Sequence, residues 1–194
     1  MTKILPIVEG DGDLKAVPEL LRRVLHERLE RYDVQVLPAQ KRNELPKVRQ
    51  EFRRYYLTAL KEDAPILWVL DFDCVDCIDH AREREELLSQ ARAIDPRGRL
   101  EIVFMVKEFE SLFLHDASVL QAAFPEFDDE LELPAHPEAI RGAKEWISKN
   151  LPKGHAYKPT VDQVRLCAKL NLARLQQTSN SYARFEMAVA NLLN

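Results

Sequence analysis

Apolar and polar positions along the first hundred residues alternate between two periods. A short apolar run, residues 3–8, stops at Glu9, and Val17, Leu20, Leu21, Val24, Leu25 and Leu29 then recur at helical spacing over residues 14–29. Pro18 is expected in the first turn of that helix, where a missing N–H costs little. Residues 34–37 read as a second strand and residues 43–60 as a second helix, with Val48, Phe52, Tyr55, Tyr56 and Ala59 inward and Arg49 and Arg53 on a flanking face. "PILWVLDFD", residues 65–73, is a continuous apolar run of the kind found in sheets covered on both faces. A helix over 80–93 and a fourth strand over 99–107, "RLEIVFMVK", complete a strand–helix alternation that predicts a parallel α/β sheet. Pro6 removes a ladder donor, so the first strand is expected to be irregular or to begin late.

After Glu108 the pattern turns helical: residues 110–123, then a loop, "FPEFDDELELPAHP", then helices near 137–150, 160–177 and 181–193. The expected organisation is an α/β domain over 1–123 and a helical C-terminal extension over 124–194 packed on it.

With 194 residues and 46% apolar content the chain is long enough to bury a core. No stretch approaches the ~20 apolar residues of a membrane span, and the N-terminus lacks a secretion signal, so the expected location is cytoplasmic, with no membrane partner. A net charge of −4 argues against nonspecific coating of nucleic acid, but it hides an asymmetry. Residues 41–61 carry seven Lys/Arg against two acids, residues 108–138 carry nine acids and no Lys or Arg, and basic side chains again outnumber acids after residue 151. Such runs are usually solvated faces, yet together they permit a local phosphate-binding surface. Cys74, Cys77 and Cys167 are an odd number that fits a reducing compartment. The Cys74-x-x-Cys77 pair lacks the second ligand pair of a zinc site, and Asp73 and Asp76 beside it oppose a thiolate.

Chemistry gathers at the strand ends. "IVEGDGD", residues 7–13, misses the third glycine of a dinucleotide loop, because Lys15 stands there. Its acids matter more: Glu9 ends the first strand, Asp71 and Asp73 end the third, and Glu108 and Glu110 follow the fourth. In an open parallel sheet all of these fall on the C-terminal edge, where ligands bind, and a strand order 2-1-3-4 brings Glu9 to the Asp71/Asp73 pair. Carboxylates so close cannot all stay charged without a cation, and hard oxygen ligands suit Mg²⁺ or Mn²⁺. One residue apart, Asp71 and Asp73 are expected to face the same side of the strand and share the ion. Helix capping explains Asp11 and Asp79 better than it explains these three.

The same residues resemble a family. "IVEGDGDLKAVPELLRRVL" resembles the opening of Toprim domains, "VLDFDCVD" their Asp-x-Asp motif, and "VKEFESLFL" an acidic segment of the OLD-type nucleases. The tail, with "GAKEWISKNL" and "YKPTVDQVRLCAKLNLARLQ", is similar to Toprim-like proteins of domain-of-unknown-function family 4276. The resemblance covers nearly the whole chain and implies a Toprim, Rossmann-like fold: a mostly parallel four-stranded sheet flanked by helices. It also implies a Mg²⁺- or Mn²⁺-dependent nuclease, a phosphodiester hydrolase acting on DNA or RNA. Carried over, Glu9, Asp71 and Asp73 hold metal, with Asp13 and Glu108 or Glu110 as second-site acids and Asp76 as a further ligand. Lys107 and Lys158 are candidates to neutralise phosphate charge. Pro6 and the "GDGD" loop depart from the family's usual pattern. OLD-type nucleases carry an ATPase in the same chain, and no Walker loop is present here, so a separately encoded ATPase is the expected partner, in defence against phage.

Two rival readings stand beside this one. "DFDCV" fits the motif of haloacid-dehalogenase-type phosphatases, with Asp71 as nucleophile, Asp73 as acid/base and Asp128/Asp129 as the later acidic motif. A non-catalytic interaction subunit would keep the fold and use the acidic edge for docking.

Overall fold

A computed structural model of the chain describes residues 2–127 and 132–193; Asp128 and Asp129 lie outside the described residues. Five parallel strands form the sheet: β1 (Thr2–Val8), β2 (Val34–Val36), β3 (Gln40–Lys41), β4 (Ile66–Phe72) and β5 (Leu100–Val106). Their order is β2-β1-β4-β5, with the two-residue β3 also pairing with β1. The four strands visible in the hydrophobic pattern therefore take the anticipated order, while β3 is too short and polar to leave a periodic signal.

Pro6 does not disturb β1, which runs unbroken from Thr2 to Val8. Ile4 and Val8 accept from Leu37 N and Arg42 N, so alternate residues of β1 face β2 and β3. Pro6 faces the same side, in the gap between the end of β2 and the start of β3, where no ladder donor is needed. Pro18 departs from expectation in the other direction. The first helix, α1, spans Asp13–Arg23, so Pro18 is a buried interior residue and not a first-turn one.

Both faces of the sheet are covered, which is why the strands are continuously apolar. On one face Leu5, Ile7, Trp68, Leu70 and Phe104 pack with Val48, Phe52 and Tyr56 of α2 (Leu45–Ala59) and Leu87 and Leu88 of α3 (His80–Ile94). On the other, Ile4, Val8, Leu67, Val69, Val103 and Met105 pack with Val17, Leu20 and Leu21 of α1. The later helices join this second cluster: α4 (Ala117–Ala123), α5 (Ala143–Asn150), α6 (Val164–Cys167), α7 (Leu172–Thr178) and α8 (Asn180–Leu192). All but α8 are shorter than the sequence pattern predicts. Residues 109–115 form a 3₁₀ segment ahead of α4, 137–139 a 3₁₀ turn ahead of α5, and 159–163 a π turn ahead of α6.

The edge of β5 is blunted by side chains. Arg84 Nε donates to Ile102 O at 3.0 Å, and Val106 N donates to Ser181 Oγ at 3.0 Å, which occupies groups an added strand would use.

Candidate functional site

A cleft of about 380 Å³ opens at the C-terminal edge of the sheet, between the loop after β1, the end of β4, the 109–115 segment, the start of α5 and the 159–163 turn. Five acids line it: Glu9, Asp11, Asp13, Asp71 and Glu110, of which Asp11 alone is exposed. Each of the other four is held by a hydrogen bond from another part of the fold. Glu9 Oε2 accepts from Asp71 N at 3.3 Å, which ties β1 to β4 at their ends. Asp13 accepts from Gly10 N at 2.8 Å through Oδ2 and from Gln163 Nε2 at 2.8 Å through Oδ1. Asp71 Oδ1 accepts from Phe109 N at 2.9 Å, and Glu110 Oε1 accepts from Tyr157 OH at 3.2 Å.

Burial and mutual repulsion set the electrostatics. Burial raises Glu9 to about 7, with the charges of Asp13 and Asp73 adding to it and the Asp71 N–H opposing it. Burial likewise raises Glu110 to about 7, with Asp13 adding and Lys144 and Tyr157 opposing. Asp13 is raised by burial, against its bonds from Gly10 and Gln163. Asp71 is pushed well above the carboxylate range, first by burial and then by Asp13, Glu9 and Glu110. Without a cation, burial and mutual repulsion shift all four groups toward the protonated form.

The donor set fits a hard divalent ion. No His or Cys lines the cleft, and all its acidic donors are oxygens. Among the described residues the one trio with ligand atoms all within 4.8 Å of one another is Cys74, Asp76 and Cys77, outside the cleft. The trio itself is a different feature. Cys74 and Cys77 are joined as a disulfide, so neither sulfur is a thiolate ligand. Asp76 is exposed and ion-paired with Arg49, which also binds Glu83 at 2.7 Å.

The remaining sequence candidates take other positions. β4 ends at Phe72, so the two-residue period does not extend to Asp73, which is exposed and outside the cleft lining. Asp71 lines the cleft and Asp73 does not, although the charge of Asp73 still reaches Glu9. Glu108 accepts from Gly142 N at 2.8 Å and Lys144 N at 3.1 Å and so caps α5, whose N-cap Gly142 has no side chain to do it. Arg141 donates to the Asp73 carbonyl, and together these contacts pin the start of α5 to the site. Lys107, with a left-handed φ of 66°, and the exposed Lys158 do not line the cleft. The cation there is Lys144, which the sequence reading missed, as it missed Gln163. Neither stands in a local pattern that marks it; only the packing of α5 and the 159–163 turn brings them in. Asp79 caps α3 through Ala81 N and Arg82 N, but Asp11 caps nothing and pairs with Lys41 Nζ at 2.8 Å.

Gly12 is needed for close approach. A Cβ there would overlap Gln163 Oε1 and stand 2.9 Å from Pro159 Cβ. Gly12→Ala is therefore expected to displace Gln163 from Asp13 and to cost about 1–3 kcal/mol, a fall in Tm of several degrees in thermal unfolding. An unchanged Tm would show that the 159–163 turn yields without loss.

Fold and site together define a parallel α/β protein with an acidic cleft at the carboxyl edge of its strands. A family model described as "Domain of unknown function (DUF4276)" matches residues 8–190, and the chain belongs to that family. A solved structure titled "C-terminal region of the Burkholderia pseudomallei OLD protein" is similar at 14% identity, over 100% of this chain and 100% of that one, with a TM-score of 0.44. Comparison with curated proteins finds no match. Among the described residues no helix is long and apolar enough to cross a membrane.

Proposed function

We propose that the chain is a divalent-metal-dependent phosphodiesterase acting on nucleic acid. The observation that carries this reading is the convergence of Glu9, Asp13, Asp71 and Glu110 on one cleft, with burial and repulsion raising every one of them. These four residues would hold Mg²⁺ or Mn²⁺. Such an ion supplies an activated water and stabilises charge on the phosphate. Lys144, whose backbone N–H is held by Glu108, lines the cleft and would meet a phosphate oxygen. Gln163 and Gly10 hold Asp13 in one orientation, and the Asp71 N–H does the same for Glu9. Before an ion binds, Glu9, raised to about 7, is partly protonated at neutral pH, so taking up a metal would release that proton. The phosphatase alternative loses support, because its acid/base Asp73 is outside the cleft lining.

A separately encoded ATPase, in a phage-defence role, is proposed as partner on the motif resemblance alone. The test is incubation of end-labelled DNA and RNA with the protein in Mg²⁺, Mn²⁺ or EDTA, with and without an ATPase encoded beside it. Shortened products that require the metal are expected. Intact substrates in every arm would discard hydrolysis, and a metal-induced rise in Tm in that case would favour the interaction-subunit reading.

A further inference from the structure

A second surface adjoins the acidic cleft. β3 registers against the end of β1, with Lys41 opposite Val8 and Arg42 N donating to Val8 O at 2.8 Å, so Lys41 and Arg42 emerge beside Glu9. Next to them α2 presents Arg54, Tyr55 and Thr58. Lys41, Arg42, Asn43, Arg54, Tyr55 and Thr58 line a shallow concavity of about 610 Å³ with no carboxylate among them. Lys41 Nζ reaches Asp11 Oδ2 at 2.8 Å, and Asp11 lines the cleft, so the two depressions share a rim.

The cations here are gathered and under-neutralised. Among the described residues Arg42 bonds to neutral acceptors, the Lys41 carbonyl at 2.7 Å and Gln40 Oε1 at 2.6 Å. Arg54 meets Glu51, which is also bound by Lys47 at 2.7 Å. The lining itself carries three cations, Lys41, Arg42 and Arg54, and no carboxylate; Asp11 and Glu51 pair with Lys41 and Arg54 from outside it. Both guanidiniums lean on one ring: Arg54 Cζ lies 4.9 Å and Arg42 Cζ 5.6 Å from the Tyr55 centroid. Stacking on a rigid aromatic restricts two long side chains before any ligand arrives, unlike an ordinary solvated basic face. Tyr55 is only 7% exposed, and its hydroxyl accepts from Asn43 Nδ2 at 2.7 Å. The ring therefore offers no open face for a base to stack on.

We infer that this concavity binds the phosphodiester backbone of a nucleic acid strand, independently of base sequence, and leads that strand to the acidic cleft. Arg42 and Arg54 contact phosphates flanking the bond at the cleft, and Lys41 exchanges Asp11 for phosphate at the shared rim. The inference takes its substrate class from the phosphodiesterase reading, but it is a claim about binding and needs no turnover.

The test is fluorescence anisotropy of labelled single-stranded and duplex oligonucleotides in EDTA, over a salt series, for wild type, Arg42→Glu/Arg54→Glu and the size-matched Arg42→Gln/Arg54→Gln. Wild type is expected to bind without sequence preference, with log K falling against log salt at a slope of about −2 to −3 for about three neutralised phosphates. Either double variant is expected to bind at least about tenfold more weakly and to lose about two from the magnitude of that slope, with its Tm unchanged. No binding by wild type, or equal affinity and slope in the glutamine variant, would overturn the inference. So would strong dependence on base sequence. The two readings fail separately: binding in EDTA without cleavage in any metal removes hydrolysis and keeps this surface, whereas metal-dependent cleavage that survives Arg42→Glu/Arg54→Glu removes the surface and keeps hydrolysis.

Discussion

Asp71→Asn is expected to abolish metal-dependent cleavage and the rise in Tm on adding Mg²⁺ or Mn²⁺. The amide keeps an Oδ1 to accept from Phe109 N, so the end of β4 and the 109–115 segment stay joined. What it removes is the negative charge that faces Asp13, Glu9 and Glu110 at once. Losing a group that merely supports a metal ligand typically costs 10–100-fold in affinity or activity, so losing this carboxylate is expected to cost at least about a hundredfold. The metal-free variant should be no less stable than wild type, because one source of repulsion is gone. Asp73→Asn is the comparison: exposed and outside the cleft, it is expected to lose far less. Cleavage by Asp71→Asn within a few-fold of wild type would remove the cleft from the mechanism.

Metal-free Glu110→Gln is expected to outlast wild type above neutral pH and to match it in acid. The folded state raises Glu110 from 4.5 to about 7, so it holds a proton there that the unfolded chain has already released. Wild-type stability from this group is complete below about pH 4.5 and is lost as pH rises through about 7. Glu110 is 5% exposed, and the loss is on the order of 1–3 kcal/mol, or several degrees of Tm. Glu9, raised for the same reason, acts in the same direction. His80 and His115, lowered by burial, act oppositely below their ordinary 6.5, but they are common to both proteins and cancel in the difference. The measurement is Tm across pH in EDTA and again in Mg²⁺. In EDTA the gap between Glu110→Gln and wild type should open from about pH 4.5 to 7, and saturating Mg²⁺ should close or reverse it, because the ion stabilises only the intact carboxylate. A gap that does not change with pH would mean that Glu110 is not held protonated by the fold.

Four of the five strands and their order were legible because each of the four is a short apolar run punctuated by polar turns, and because burial on both faces leaves a signal that no exposed segment gives. The C-terminal helices were legible in kind but, α8 apart, not in length. Their stretches from 137 to 150 and from 160 to 177 break into 3₁₀ or π turns and shorter helices, a change decided by packing on α1 and the sheet that periodicity does not record.

For the site, strand position put forward Glu9, Asp71 and Glu110, since the C-terminal edge of a parallel sheet collects whatever follows each strand, and the family resemblance added Asp13. Sequence by itself thus determined which elements meet and which acids can approach one another. Tertiary structure decided which of them do. It ended β4 one residue before Asp73, gave Asp76 to Arg49, turned Glu108 into the cap of α5, and supplied Lys144 and Gln163 from more than thirty residues beyond the last strand. The physical reason is that a carboxylate's role depends on which donors and charges surround it, and most of those arrive from segments far away along the chain.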